Sequence, residues 1–172
     1  MGKHVSSEFC PTNIALLTVS DSRGEMDDTS SHYLAEAAKE QGHQIVDKQI
    51  VKNDRYMIRA VVSQWIADPN IQVVIVNGGT GFSDKNNTPE ALSVLFDRDI
   101  DGFGELFRML SYEDIGTSAI QSRAIAGLAN HTLIFAVPGS TAACRLAWQK
   151  IIASQLDARH GPCNFIPHII KK

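Results

Sequence analysis

The sequence predicts an α/β sandwich built around a mostly parallel sheet. Short, apolar, β-branched runs alternate with segments of helical periodicity, and this alternation is typical of parallel sheets with helices on their faces. The apolar runs lack alternating polar residues, so each strand is expected to be buried on both faces. At 172 residues the chain fits one domain, residues 1–172. We expect residues 1–9 to be flexible and residues 157–172 to form a C-terminal tail.

The first half of the chain contains three predicted strands and two predicted helices. The first strand is predicted at Asn13–Val19, a short β-branched apolar run, and the other two at Gln44–Val51 and 72–76. The first helix is predicted over 31–41, because Asp28-Thr29-Ser30 offer N-cap side chains and Gly42 ends the pattern. The second helix is predicted over 54–67, where apolar residues recur at helical spacing.

The second half contains further helices and one more strand. A helix is predicted to begin at Thr88, with Pro89 at its first position. The other predicted elements are helices over 102–110, 118–130 and 140–156, and a buried strand at Thr132–Val137.

Composition and charge exclude several function classes. A net charge of −3 and a pI near 6.0 give no broad attraction to nucleic acid or lipid. No apolar run approaches the roughly 18 residues that span a membrane. Cys10, Cys144 and Cys163 form neither a CxxC pair nor a disulfide framework, which fits a reducing compartment. We therefore expect a cytoplasmic protein with no nucleic-acid or membrane partner.

Three predicted loops would meet at one edge of the sheet. They follow predicted strands, at 20–24, 78–87 and 138–140. Open α/β sheets bind ligands beyond the carboxyl ends of their strands, and backbone amides near helix N-termini suit phosphate. The candidate ligand-binding residues are Ser20, Asp21, Gly78, Gly79, Thr80, Gly81, Thr88, Glu90, Pro138, Gly139 and Ser140.

The glycine-rich segment Gly78-Gly79-Thr80-Gly81 is the strongest local signal. Its three glycines let the backbone adopt positive φ and approach a ligand closely. Thr88-Pro89-Glu90 follows as a candidate N-cap, first-position proline and first-turn acid. The alternative is a flexible turn between strand and helix. Neither GxGxxG spacing nor a Walker-type GK[ST] sequence is present.

Charged residues near these loops have two interpretations. Asp21, Asp54, Asp84, Glu90 and Glu105 include enough carboxylates to hold Mg²⁺ beside a phosphate, although most are equally consistent with solvated loop charges. Two arginines on predicted helices would bind an anion or pair with Glu105; they are Arg108 and Arg123.

Several short motifs together resemble one known family. They are Thr18-Val19-Ser20-Asp21, Asp28-Thr29-Ser30, Gly78-Gly79-Thr80-Gly81, Thr88-Pro89-Glu90-Ala91, Gly102-Phe103-Gly104-Glu105, Ser122-Arg123-Ala124 and Val137-Pro138-Gly139-Ser140. In this order they resemble the molybdopterin-binding MoaB/MogA family of molybdenum cofactor biosynthesis. The resemblance runs from about Phe9 to the C-terminus, and the tail is similar to the MoaB branch.

The resemblance implies a three-layer α/β/α fold with a Rossmann-like sheet, molybdopterin binding, and assembly into trimers or hexamers. Active relatives transfer AMP from Mg-ATP to molybdopterin and carry two essential aspartates. Those positions fall here at Asn53 and Asn86. An amide is a weaker Mg²⁺ ligand than a carboxylate and cannot act as a base. Asp54 and Asp84 are the neighbouring metal candidates.

Three functions therefore remain open, and one of them is a scaffold of the pathway whose trimer surface is what matters. The first is a protein that binds molybdopterin or a precursor, with weak or no catalysis, which Asn53 and Asn86 favour. The alternative is a Mg-ATP-dependent molybdopterin adenylyltransferase, which the converging loops and the resemblance favour. A third departure from the family is Ser31, where a glycine is usual.

Overall fold

The computed structural model describes residues 6–170. Residues 1–5, most of the segment expected to be flexible, lie outside the described residues. The sheet has six strands in the order β2-β1-β3-β6-β5-β4. The strands are β1 Asn13–Val19, β2 Gln44–Val51, β3 Val73–Asn77, β4 Arg98–Asp99, β5 Ile125–Ala129 and β6 Thr132–Val137.

Four of these strands form the parallel part of the sheet, in which β2, β1, β3 and β6 pair in parallel. Strands β1, β2 and β6 have the predicted bounds, and β3 begins one residue later than predicted. The central strands β3 and β6 are buried throughout. Strand β2 lies at the edge and is mostly half-buried, so the expectation that every strand is buried on both faces is wrong for this one.

The other edge of the sheet is antiparallel and corrects the prediction of a helix over 118–130. A 3-10 helix at Gly116–Gln121 is followed by strand β5, which pairs with β6 and with β4. Asn130 and His131 adopt positive φ in a two-residue turn, the kind that joins a tight hairpin. A Cβ at Gly127 would lie 2.3 Å from the Phe96 ring. This long-range contact and the hairpin override a locally helical composition.

Helices cover both faces of the sheet, and this confirms the three-layer α/β/α architecture. Their bounds are α1 Thr29–Gln41, α2 Arg55–Ala67, α3 Thr88–Leu92, α4 Asp101–Ile115, α5 Thr141–Ala147, α6 Ala153–Gln155 and α7 Ile166–Ile169. Helices α1, α4 and α5 pack on one face of the sheet and α2 and α3 on the other. A π-helical turn at Trp148–Ile152 joins α5 to α6, so the helix predicted over 140–156 is nearly continuous.

The predicted tail contains a short helix and contributes to the core. Ala158, Ile166 and Ile169 are buried, and the amide of Ser6 donates to the carbonyl of Ala158 at 3.0 Å. The Phe9 ring lies 5.0 Å from the ring of His43, between centroids. No helix within residues 6–170 has the length and apolar character needed to cross a bilayer.

Candidate functional site at the strand ends

The carboxyl ends of β1, β3 and β6 bring three loops into contact. From β1 the chain moves outward to β2 and then returns to the other side of β1 as β3, which places a topological switch point between β1 and β3. Gly78 has φ +101°, and a Cβ there would lie 2.2 Å from the carbonyl oxygen of Val19. A Cβ at Gly139 would lie 3.1 Å from the Gly78 Cα. Only glycine allows the loops to approach this closely.

The glycine-rich loop is held at its far end by Thr88. The Thr88 hydroxyl donates to the Gly78 carbonyl at 2.8 Å, and its amide donates to the Gly79 carbonyl at 3.1 Å. The N-cap of α3 is Asn87, so Thr88 is the first helical residue and not the cap that the sequence predicted. Its side chain closes the loop instead of facing a ligand.

Five backbone amides at this junction have no protein acceptor. The amides of Gly79, Thr80 and Gly81 donate to no group within residues 6–170, and the same holds for the amides of Gly139 and Ser140. Neighbouring N–H groups in a loop with positive φ form a concave anion site. The geometry therefore offers hydrogen-bond donors to an anionic ligand.

Arg123 stabilises the same loop from the opposite side. It follows the 3-10 helix, so its prediction on a helix is wrong. Its Nε donates to the Gly81 carbonyl at 2.9 Å and its Nη2 to the Asn86 carbonyl at 2.7 Å. Its Nη1 pairs with Glu90, which is the acidic partner in place of the predicted Glu105. All three guanidinium nitrogens are thus engaged with the protein.

The Glu90 carboxylate takes part in these contacts as the partner of the Arg123 guanidinium. Burial alone would raise its pKa, but the residue's own backbone amide and the Arg123 guanidinium outweigh burial and lower the pKa. Arg108, on α4, donates to the carbonyls of Ser122 and Ala124 at 3.4 Å and 3.2 Å. Arg108 therefore supports the segment that carries Arg123.

Asn53 and Asn86 lie beside the glycine-rich loop and connect it to its neighbours. The Asn53 amide donates to a carboxylate oxygen of Asp21 at 2.9 Å, and the Asn53 side-chain oxygen accepts from the amide of Asn87 at 3.2 Å. The Asn86 side chain donates to the Ser83 hydroxyl at 2.5 Å. The Asn53 side chain acts as an acceptor, which an aspartate could also do, whereas the Asn86 side chain acts as a donor, which an ionised aspartate cannot do.

Asp54 and Asp84, the carboxylates next to these asparagines in the sequence, differ in how far their oxygens are already used in hydrogen bonds. One oxygen of Asp54 accepts from the amides of Tyr56 and Met57, both at 2.9 Å, as the N-cap of α2. Asp84 is exposed and has no hydrogen bond within the described chain. Residues 6–170 contain no group of three or more His, Cys, Asp or Glu residues placed to hold a metal ion.

A buried polar network under the loops was not predicted from the sequence. Thr18, Asp28 and Asn77 are each fully buried. The Asp28 carboxylate accepts from the Thr18 hydroxyl and, at 3.0 Å, from the Ser31 amide. The Asn77 side chain donates to the Thr18 oxygen at 2.9 Å. A polar residue at the end of an otherwise apolar strand was the available signal.

The sequence also missed Arg23, in the loop after β1. Its amide donates to the Ser20 hydroxyl at 3.0 Å, and its Nη1 donates to the Gly139 carbonyl at 2.6 Å. Ser140, predicted as a ligand, accepts from the Ala143 amide at 3.2 Å as the N-cap of α5. A lone cation two residues after Asp21 at a strand end was the signal for Arg23.

The thiol nearest these loops is structural. Cys144 is buried and donates to the Pro138 carbonyl at 3.6 Å. Burial raises the pKa of this thiol to about 12, so it stays protonated and is a poor nucleophile at neutral pH.

Comparison with known proteins relates the whole chain to one family. The profile of a family described as "probable molybdopterin binding domain" matches residues 6–158. The chain is 65% identical over 167 residues to molybdenum cofactor biosynthesis protein B of Escherichia coli K12, which spans 97% of this chain and 98% of that protein. A protein of the same name from Bacillus cereus is 46% identical over 142 residues, covering 82% and 84%.

Solved structures agree with the sequence comparison. A crystal structure of a molybdenum cofactor biosynthesis protein B matches with a TM-score of 0.83 at 44% identity, covering 86% of this chain and 92% of that chain. The tungsten cofactor synthesizing protein MoaB of Pyrococcus furiosus matches with a TM-score of 0.78 at 30% identity, covering 85% and 92%.

Proposed function

The chain belongs to the molybdenum cofactor biosynthesis family with a molybdopterin-binding domain, and on that premise we propose that its three-loop site holds molybdopterin or a precursor with weak or no catalysis. The five unpaired amides at the junction of the loops carry this proposal. They are the donors that a phosphate monoester requires, and they come from two loops that contact each other at Gly78 and Gly139.

Two amide side chains argue against efficient catalysis at this site. The resemblance places essential aspartates at Asn53 and Asn86. Both side chains act as loop braces here, and neither carries the charge that binds Mg²⁺ strongly or accepts a proton. Asp54 has a structural role beside them, because one of its oxygens accepts from the amides of Tyr56 and Met57 as the N-cap of α2.

The alternative function is Mg-ATP-dependent adenylylation of molybdopterin. One observation favours it: Asp21 is exposed and uses one carboxylate oxygen for the Asn53 amide, which leaves the second oxygen unbonded. One or two carboxylates together with substrate phosphates suffice for Mg²⁺ in many nucleotide sites. When bound, the metal would stabilise charge on the phosphoryl oxygens, and the amides of the glycine-rich loop would position them.

An adenylylation assay distinguishes the two functions. The purified protein is incubated with molybdopterin and Mg-ATP, and the adenylylated product is measured. We expect binding of molybdopterin with little product. Robust turnover by the unaltered chain would contradict the binding function and support the alternative.

A gain-of-activity variant tests the role of the two amides. Asn53→Asp together with Asn86→Asp is expected to raise turnover, since the two substitutions supply carboxylates that bind Mg²⁺ and accept a proton. The matched control is Gln64→Glu with Gln149→Glu, which adds the same charge at exposed helical positions. Unchanged turnover with intact molybdopterin binding would show that another defect limits catalysis.

Self-association and cellular location also belong to this proposal. We propose assembly into trimers or hexamers, because α4 and the following 3-10 helix expose an apolar face; its members are Leu106, Met109, Tyr112, Ile115 and Ile120. An exposed patch of this kind is typical of an interaction surface. Sedimentation of the purified protein would measure the oligomer. Three free cysteines support a location in the reducing cytoplasm.

A further inference from the structure

We propose that Arg23 is the residue that binds the phosphate of the pterin ligand at the three-loop site. This inference rests on the proposed function and names a specific contact within it. Arg23 belongs to none of the sequence motifs of the family resemblance, and its role follows from where the fold places its guanidinium.

The Arg23 guanidinium lies at the junction of the three loops. Its Nη1 donates to the Gly139 carbonyl at 2.6 Å. A Cβ at Gly139 would lie 3.6 Å from this nitrogen and 3.1 Å from the Gly78 Cα. The guanidinium and the first glycine of the glycine-rich loop therefore flank the same point, beside the unpaired amides.

Arg23 keeps donors that Arg123 has already used. All three guanidinium nitrogens of Arg123 are bonded to loop carbonyls or to Glu90. In Arg23 only Nη1 has an acceptor within residues 6–170, so Nε and Nη2 remain available. Two such N–H groups on a planar guanidinium match two oxygens of a phosphate.

The charge balance of the junction points to the same residue. Arg123 is neutralised by Glu90, whereas Arg23 forms no ion pair in the part of the chain that the structure describes. Asp21 follows β1, and the buried Asp28 accepts from Thr18 near the end of the same strand, so both carboxylates lie at this end of the strand and would repel a phosphate dianion. A guanidinium without a carboxylate partner supplies the compensating charge for that dianion.

The side chain is positioned before any ligand arrives. The Ser20 hydroxyl accepts from the Arg23 amide at 3.0 Å. The Gly139 carbonyl that receives Nη1 also accepts from the Ser30 hydroxyl at 2.9 Å. Because Ser30 still satisfies this carbonyl when Arg23 is replaced, the loop is expected to survive substitution.

The test is calorimetric titration in EDTA with two ligands, molybdopterin and the same pterin with its phosphate removed. Arg23→Gln is expected to weaken molybdopterin binding at least about tenfold, equivalent to about 1.4 kcal/mol, and to leave the dephosphorylated pterin unaffected. Arg23→Lys should recover part of the lost affinity, because lysine keeps the positive charge but lacks the paired N–H donors of the guanidinium. The matched control is Arg145→Gln, whose guanidinium stacks on the Tyr33 ring and has no hydrogen bond to the three loops within residues 6–170.

Each outcome separates this inference from the proposed function. If Arg23→Gln weakens the binding of both ligands equally, the residue has a structural role and the inference is overturned. Unchanged affinity of Arg23→Gln for molybdopterin would also overturn the inference. If the unaltered protein binds neither ligand, the proposed function itself is wrong. Thermal unfolding of each variant shows whether the fold is retained.

Discussion

Replacement of Arg123 by alanine should destabilise the protein and loosen the glycine-rich loop. The side chain makes two hydrogen bonds to loop carbonyls, at 2.9 Å and 2.7 Å, and an ion pair with Glu90. A hydrogen bond from a charged donor contributes about 1.5–3 kcal/mol. The Arg123 side chain is 26% exposed and that of Glu90 41%, so solvent screening favours the low end of this range.

Two bonds at that low end predict a loss of about 3 kcal/mol for Arg123→Ala, with less than about 1 kcal/mol from the partly exposed ion pair. In urea, with a slope of about 2 kcal/mol per molar, the unfolding midpoint should fall by about 1.5 M. The matched control is Arg98→Ala, an exposed arginine of β4, which should stay within about 0.5 kcal/mol of the unaltered protein.

A double-mutant cycle with Glu90→Gln isolates the ion pair. The coupling free energy should be between about 0.5 and 1 kcal/mol, since substitutions at contacting residues do not have additive effects on the free energy of unfolding. Molybdopterin affinity should also fall in Arg123→Ala, because the carbonyls of Gly81 and Asn86 lose their anchor. An unfolding midpoint equal to that of the unaltered protein would refute the argument that Arg123 braces this loop.

Three further predictions concern backbone strain, buried polarity and pH. Gly78→Ala should abolish molybdopterin binding and lower the unfolding midpoint in urea, because the added Cβ would lie 2.2 Å from the carbonyl oxygen of Val19. The control Gly24→Ala should do neither, because a Cβ at Gly24 has no neighbouring atom within 4 Å. Thr18→Val should cost roughly 2–4 kcal/mol in urea unfolding, since Asp28 and Asn77 each lose a buried partner; a cost below about 1 kcal/mol would contradict a cooperative network. Burial lowers the pKa of His43 to about 4 from 6.5. Between these two values the unfolded chain binds a proton on His43 that the folded chain does not bind. The free energy of unfolding should therefore decline as the pH falls from 6.5 toward 4. His43→Gln should flatten this window, and an equal decline in both proteins would exclude His43 as its cause.

The strands were predictable because their sequences are locally consistent. Asn13–Val19 and Thr132–Val137 are mostly β-branched and apolar, Gln44–Val51 has isoleucine and valine at both ends, and the structure keeps all three bounds. The failure at 118–130 has a different origin. Its alanines favour a helix, and only the pairing of β5 with β6 makes residues 125–129 a strand.

The glycine-rich loop and the family were determined by the sequence alone. Spacing and residue type predicted that Gly78–Gly81 would follow a buried strand, and the ordered motifs indicated molybdenum cofactor biosynthesis, which the comparisons confirm. The roles of individual charged side chains were decided only by the tertiary structure. Arg123 and Glu90 are 33 residues apart along the chain, and Arg23 and Gly139 are 116 apart. No local pattern encodes such contacts, because they depend on how the strands order themselves in the sheet.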